Sequence, residues 1–152
     1  MFTEEQERLI QREIVRLQSA DETSRAALNE DSVLRRTAWF SDNCASFDFL
    51  NGEPLEAGYR LLLARFGISP AEAPVVERTE QNIVFHSKNF CPTLEACRRL
   101  GLDTRLVCKR LNERATDALV KLVHPRLTFS RNYDCLRPYA PYCEEMISVK
   151  QD

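Results

Sequence analysis

Cysteine residues are concentrated in the second half of this sequence, where their thiols could bind a metal or attack an electrophile. Cys91, Cys97 and Cys108 lie close together, and Cys143 follows near the end. The first residues lack the basic stretch and apolar core of a signal peptide, so we expect a cytoplasmic location with reduced thiols. Clustered cysteines in that setting indicate metal binding or reactivity before disulfides.

A metal centre is the first interpretation of these cysteines. Soft thiolate sets select zinc, copper(I) or an iron–sulfur cluster. None of the spacings is the C-x-x-C of zinc ribbons, so a shared site depends on the fold. The predicted ligands are Cys91, Cys97, Cys108 and Cys143. The alternative is that these thiols are buried and fill gaps in the core.

Cys91 has a separate reason to be reactive. It precedes Pro92, a residue suited to the first position of a helix, so Cys91 would be the N-cap. The free N–H groups and the dipole of that helix would lower the pKa of its thiol. His86 or His124, the only two histidines, could then act as the base. Alternatively, His86 faces solvent on a strand and His124 ends a helix.

A loop rich in tyrosine and arginine is the second unusual stretch. Arginine can hold a carboxylate or phosphate with two parallel hydrogen bonds, and tyrosine can line a pocket while offering a hydroxyl. We therefore predict a ligand-binding surface for a small anionic molecule. Its residues are Arg131, Tyr133, Arg137, Tyr139 and Tyr142. The alternative is a packed loop whose arginines pair with neighbouring carboxylates.

The first part of the chain is expected to be helical. Thr3 and Gln6 form a capping box ahead of an amphipathic helix over 4–18. Further helices are predicted over 22–28 and from Asp31 or Ser32 to Phe40. A helix over 54–66 begins at a proline and ends at a glycine.

The second part mixes strands and helices. Residues 75–76 and 83–85 predict a hairpin, and strands are also predicted over 126–130 and 142–149. A helix from Pro92 to Gly101 and two further helices lie between them. This order predicts one domain over 1–152, with a helical part over 1–70 and an α+β part over 71–152. The fold class is α+β, with an antiparallel sheet and helices packed on one face.

The charge is distributed unevenly. Residues 1–80 carry 15 acidic and 9 basic residues, a net of −6, whereas residues 81–152 carry 8 and 12, a net of +4. The basic second half favours an anionic ligand. Alternatively, the two halves form surfaces of opposite sign that meet within one fold or between subunits. The overall net charge of −2 argues against a nucleic-acid partner, and no apolar run is long enough to cross a membrane.

The run NFCPTLEACRRLGLDTRLVC, followed by HPRLTFSRNY and YCEEMISV, resembles the L-2-amino-thiazoline-4-carboxylate hydrolase-like family and the wider 4-vinyl-reductase-type ligand-binding domains. The similarity covers residues 83–149. It implies helices on an antiparallel sheet, with a small-molecule pocket or metal-binding cysteines. The positions that match are Cys91, Cys97, Cys108 and Cys143. The longer loop before Cys143, which lacks the family's short glycine turn, departs from the pattern.

Three functions follow from these observations. The first is a small-molecule-binding domain with a cysteine-ligated metal or iron–sulfur site. The second is a thiol-dependent hydrolase of a C–N or C–S bond, with Cys91 as nucleophile and His86 as its base. The third is an interaction module with structural cysteines, in which the helical half forms a homodimer surface.

Overall fold

The chain folds as α+β, with N-terminal helices followed by a four-stranded antiparallel sheet, as the sequence predicts. The computed structural model describes residues 1–151. The helices are α1 (Glu4–Gln18), α2 (Arg25–Asn43), α3 (Pro54–Phe66), α4 (Pro92–Leu100), α5 (Thr104–Val107) and α6 (Glu113–Val123), and a π-helical turn (Cys108–Asn112) joins the last two. The strands are β1 (Val75–Arg78), β2 (Asn82–Ser87), β3 (Leu127–Arg131) and β4 (Cys143–Val149).

The sheet has the strand order β1-β2-β4-β3, and every neighbouring pair is antiparallel. Residues opposite one another in such a sheet point to the same face, and side chains alternate between faces along each strand. Ile83 of β2 and Phe129 of β3 both stand opposite Ile147 of β4. All three are buried, so this inner face is the one that the helices cover.

Helices α3 and α6 cover the inner face. Buried leucines of α3 and α6, including Leu61 and Leu119, join Ile83, Phe129 and Ile147 in one apolar cluster. Gly58 allows α3 to approach the sheet, because a Cβ atom there would lie 3.1 Å from a methyl group of Leu127. The core therefore draws on both the helical part and the α+β part of the chain.

The two N-terminal helices pack on the other helices. Helix α1 lies along α4, and a smaller apolar cluster joins Leu17 of α1 to Cys97 and Leu111. Helix α2 packs mainly against α6. No helix of the described chain is long and apolar enough to cross a membrane. The cytoplasmic location stays a prediction.

Two helix boundaries differ from the prediction. Residues 25–43 form one helix, whereas the sequence predicted a break before Asp31 or Ser32. Ser32 is instead a buried residue on the face of α2 that meets its neighbours, so tertiary packing overrides its capping tendency. The helices predicted after Asp103 are continuous through the π-helical turn at residues 108–112.

Candidate functional site

One end of the inner sheet face is polar. Ser87 stands opposite Cys143, and Arg131 stands opposite Glu145, so all four side chains share this face. The hydroxyl of Ser87 donates to Oε1 of Glu145 at 3.1 Å. The same oxygen lies 3.9 Å from Nε of Arg131. The side chains of β2, β3 and β4 thus place a carboxylate and a guanidinium beneath the helices.

Arg131 is the most unusual of these residues. Only 12% of its side chain is exposed, and its Nη1 atom is buried without a hydrogen-bond partner. Burial is the largest single influence on the pKa of this guanidinium and lowers it, but Glu145, Cys108 and Tyr133 together outweigh burial and the net shift is upward. Arg131 therefore keeps its positive charge, and its buried Nη1 atom remains without a hydrogen-bond acceptor.

Arg137 connects the loop between β3 and β4 to three other segments. Its Nη1 donates to the carbonyl oxygen of Asn89 at 2.7 Å, and its Nε donates to Sγ of Cys143 at 3.3 Å. Its own carbonyl oxygen accepts from the hydroxyl of Thr104 at 2.7 Å. The two arginines differ, because Arg137 donates to a carbonyl oxygen and a sulfur, whereas Arg131, the last residue of β3, faces a carboxylate.

Cys91 is the N-cap of α4, as the sequence predicts. Its thiol pKa is nevertheless raised, because the cost of burying a thiolate exceeds the help from the Leu94 N–H and from Arg137 and Arg131. The prediction that the helix terminus would lower this pKa is therefore wrong. A dipole effect that is adequate at an exposed helix end is too weak to compensate for desolvation at a buried one.

The thiols of Cys97 and Cys108 are also protonated. Burial raises the pKa of each to about 12. Cys97 is 1% exposed and packs with Leu17 and Leu111, so it is a core residue. Cys108 lies on the π-helical turn, where the charges that act on its thiol include Arg131, Cys91 and Cys143.

The four cysteines do not fit a metal centre. Within residues 1–151, no group of three or more histidine, cysteine, aspartate or glutamate side chains is arranged to hold a metal ion. The positive charge of Arg131 acts on the thiols of Cys91 and Cys108 and would repel a cation bound there. Zinc or iron–sulfur binding stays a prediction that this donor set does not favour.

His86 is turned away from Cys91. It alternates with Ser87 along β2, so its side chain lies on the outer face of the sheet. There its Nε2 lies 3.0 Å from Oε1 of Glu144, and its ring stacks on Tyr142 with centroids 3.8 Å apart. The other histidine, His124, caps α6 and accepts from the Arg126 N–H through Nδ1. The sheet thus separates the predicted nucleophile from its predicted base.

The tyrosines of the loop do not converge on one pocket. The hydroxyl of Tyr133 donates to Glu113 at 3.0 Å, and burial raises its pKa. Tyr139 is 51% exposed, with the guanidinium of Arg105 4.1 Å above its ring. Tyr142 is on the outer face beside His86. Of the five predicted ligand-binding residues, Arg131 and Arg137 are the two whose positive charge lowers the pKa of the Cys91 thiol, against the larger effect of burial.

Two surface cavities are lined by other residues. One, of about 720 Å³, lies beside α3, between Phe49 and Pro70. The other, of about 460 Å³, lies between the end of α1 and α5, with Leu17 and Leu106 in its wall. Neither is lined by a residue that the sequence marked for chemistry.

Sequence reasoning missed the residues that support the π-helical turn. Asn29 of α2 donates from Nδ2 to the carbonyl oxygen of Arg110 at 2.8 Å, and Arg16 of α1 donates to that of Leu111 at 2.7 Å. Arg16 also reaches Oδ1 of Asn112, whose Nδ2 donates to Thr93 at the start of α4. The N-terminal helices thus fix the turn that carries Cys108. No local pattern marks Arg16 or Asn29, because their acceptors lie more than eighty residues away.

Glu145 is one of the carboxylates near the predicted arginine and tyrosine loop, and its place on the inner face follows from alternation along β4. Cys143, Glu145, Ile147 and Val149 fall on one face of a strand, and Ile147 is its most buried member. Because Glu145 occupies one of these inward-facing positions, the pattern indicates that this end of the otherwise apolar inner face is polar.

Comparison with models of known protein families, with curated proteins and with solved structures found no match. What the fold and the site define is an α+β domain with a buried arginine among protonated thiols. The resemblance to the thiazoline-carboxylate hydrolase-like family stays a prediction.

Proposed function

We propose that this protein binds a small anionic molecule through Arg131, with the thiols of Cys91, Cys108 and Cys143 beside it. The observation that supports the proposal is the buried Nη1 atom of Arg131, which has no hydrogen-bond partner. Leaving a buried donor unpaired costs about 1–3 kcal/mol, and more for a charged group. A carboxylate bound there would accept the hydrogen bond that Glu145 leaves unmade.

A second unpaired atom restricts the ligand further. Oδ1 of Asn89 is buried and accepts no hydrogen bond, while the backbone oxygen of the same residue is held by Arg137. An amide oxygen in this position suits an N–H group of a ligand. We therefore propose a molecule with a carboxylate for Arg131 and a nitrogen donor for Asn89, such as an amino-acid-like compound. This chemistry agrees with the family that the sequence resembles.

Calorimetric titration with three matched compounds tests the proposal. L-alanine carries both groups, propionate carries only the carboxylate, and ethylamine carries only the nitrogen. We expect L-alanine to bind with the highest affinity, propionate to bind more weakly, and ethylamine not to bind. Arg131→Gln should weaken L-alanine binding by about tenfold or more, because a charge-assisted hydrogen bond is lost.

Arg114→Gln is the matched control, because it removes the same charge from a pair with Glu30 that is exposed on the surface. This variant should bind L-alanine as the unaltered protein does. If ethylamine binds as well as L-alanine, or if Arg131→Gln binds both acids normally, the anion site is not at Arg131. Circular dichroism of each variant verifies that it is folded.

A thiol-dependent hydrolase is the second candidate, and the charges of Arg131 and Arg137 on the Cys91 thiol favour it. Both oppose the effect of burial and would stabilise the thiolate form of Cys91. The test is alkylation of Cys91, followed by mass spectrometry across pH 6–10. A Cys91 that reacts no faster than Cys97 at every pH would eliminate this candidate.

A further inference from the structure

Two arginines share one aromatic ring at the junction of α2 and α3. The guanidinium carbon of Arg36 lies 5.2 Å from the ring centroid of Phe66, and that of Arg65 lies 5.6 Å from it. Arg65 also lies 5.6 Å from the ring of Trp39. Phe66 itself is 41% exposed, so the group reaches the surface. We call Arg36, Arg65 and Phe66 the paired-arginine site.

Neither arginine of this site has an acidic partner. Within residues 1–151, no carboxylate lies at ion-pair distance from Arg36 or Arg65. Their neighbour Arg35 shows the contrast, because it pairs with Asp31 at 2.8 Å on the open side of α2. Asp31 is thus close to this turn of α2, but it pairs with the exposed Arg35 and not with Arg36.

The hydrogen bonding of the pair is also incomplete. Nε of Arg65 is buried and has no partner. Arg36 donates from Nη1 to the hydroxyl of Thr116 at 2.6 Å, which is a neutral acceptor. Burial, followed by the like charges of Arg65, Arg131 and Arg16, lowers the pKa of Arg36 to about 9. The negative charge of Glu13 offsets this effect only in part, so both cations remain without a carboxylate at ion-pair distance in the described chain.

We propose that the paired-arginine site binds a phosphate group, held between the guanidinium groups of Arg36 and Arg65. Cation–π contact with Phe66 is a weak attraction at an exposed site and does not neutralise either charge. A phosphate dianion matches the two positive charges, and its oxygens accept from two guanidinium forks at once. The site lies on other residues than Arg131 and does not depend on the anion proposed there.

Calorimetric titration with inorganic phosphate, at constant ionic strength set with sodium chloride, tests this site. We expect one saturable site in the unaltered protein. Arg36→Gln and Arg65→Gln should each weaken phosphate binding about tenfold or more. Arg36→Lys keeps the positive charge but loses the two parallel N–H donors of the guanidinium. Its affinity for phosphate should therefore lie between that of the unaltered protein and that of Arg36→Gln.

Arg35→Gln is the matched control, because it removes an equal charge from the adjacent residue of the same helix. It should bind phosphate within about threefold of the unaltered protein. Equal losses in Arg35→Gln and Arg36→Gln would mean general charge screening and would overturn the proposal. Absence of any saturable phosphate binding to the folded protein would overturn it as well.

The source of the phosphate group is decided by a second titration. Phenyl phosphate and O-phosphoserine carry the same dianion on an organic group. Tighter binding of either compound than of inorganic phosphate, lost in Arg65→Gln, indicates a phosphorylated molecule as the ligand. Equal affinity for all three indicates that the site holds free phosphate. Preference for acetate over all three would overturn the assignment to phosphate.

Discussion

Sγ of Cys143 accepts two hydrogen bonds from a single residue, Arg137, one from its backbone N–H at 3.4 Å and one from its Nε at 3.3 Å. The same guanidinium reaches the carbonyl oxygen of Asn89. This relationship ties the first residue of β4 to its own preceding loop and to the segment that leads into α4. It places Cys143 and Cys91 at the same end of the inner sheet face.

Arg137→Gln should loosen that connection. The variant loses the hydrogen bonds from the guanidinium to Asn89 and to Cys143, so we expect a loss of about 1–3 kcal/mol in the free energy of unfolding. Alkylation of Cys143 should also become faster, because its sulfur is less covered. Urea denaturation measures the first effect and mass spectrometry of labelled peptides the second.

Arg105→Gln serves as the comparison for this variant. Arg105 contacts the same loop through Tyr139, but it is an exposed residue paired with Asp103. The free energy of unfolding of Arg105→Gln should change much less than that of Arg137→Gln, because an exposed ion pair contributes little to stability. An Arg137→Gln protein that is as stable as Arg105→Gln would mean that the loop is held by its other contacts.

Asn29→Ala should destabilise the π-helical turn. It removes the donor to the carbonyl oxygen of Arg110, a part-buried hydrogen bond of the kind that contributes about 0.5–1.5 kcal/mol to stability. Hydrogen exchange should increase first at residues 108–116. The neighbouring change Glu30→Gln affects only an exposed ion pair, so exchange at those residues should stay as in the unaltered protein.

Cys97 and Cys108 should resist alkylation. With pKa values of about 12, each has a thiolate fraction at pH 8 that is roughly a thousandfold below that of an ordinary cysteine. Labelling with iodoacetamide at pH 8 should therefore proceed only as fast as the protein unfolds. In guanidinium chloride the six cysteines should react alike. Fast labelling of Cys97 under native conditions would contradict its place in the core.

Glu144 should contribute stability that depends on pH. Hydrogen bonds from Asn132 and then from His86 hold its carboxyl pKa below the ordinary value of 4.5. A lowered folded-state pKa means that the contribution is complete above the unfolded-state pKa and disappears as the pH falls through the folded-state value. The difference in unfolding free energy between the unaltered protein and Glu144→Gln should shrink below about pH 4.5.

Gly101→Ala tests the C-terminus of α4. Gly101 has φ of +69°, a left-handed conformation that costs a residue with a Cβ atom about 1–2 kcal/mol. No atom would obstruct the added methyl group, so the loss should come from backbone strain alone. Gly101→Asn should lose less, because asparagine tolerates this conformation better. Thermal denaturation should rank the unaltered protein as most stable, Gly101→Asn next and Gly101→Ala as least stable.

Much of the fold could be predicted from local patterns in the sequence. The capping box at Thr3, the proline that begins α3 and the glycines after α3 and α4 fix helix ends through interactions within a few residues. Alternation along β2 and β4 indicates which side chains face the core. These signals suffice because the groups involved are neighbours along the chain.

The candidate site depended on distances that local patterns do not contain. The sequence indicated that Cys91 caps a helix, but burial by distant segments decided that its thiol stays protonated. It marked Arg131 and Arg137 as anion-binding residues, but strand register decided that Arg131 faces Glu145 from the inner face while His86 points outward. The roles of Arg16 and Asn29 depend on hydrogen bonds to the π-helical turn. The sequence by itself determined where helices and strands begin and which residue types could react; only the tertiary structure decided their partners and charge states, because desolvation and long-range contacts arise when distant segments pack together.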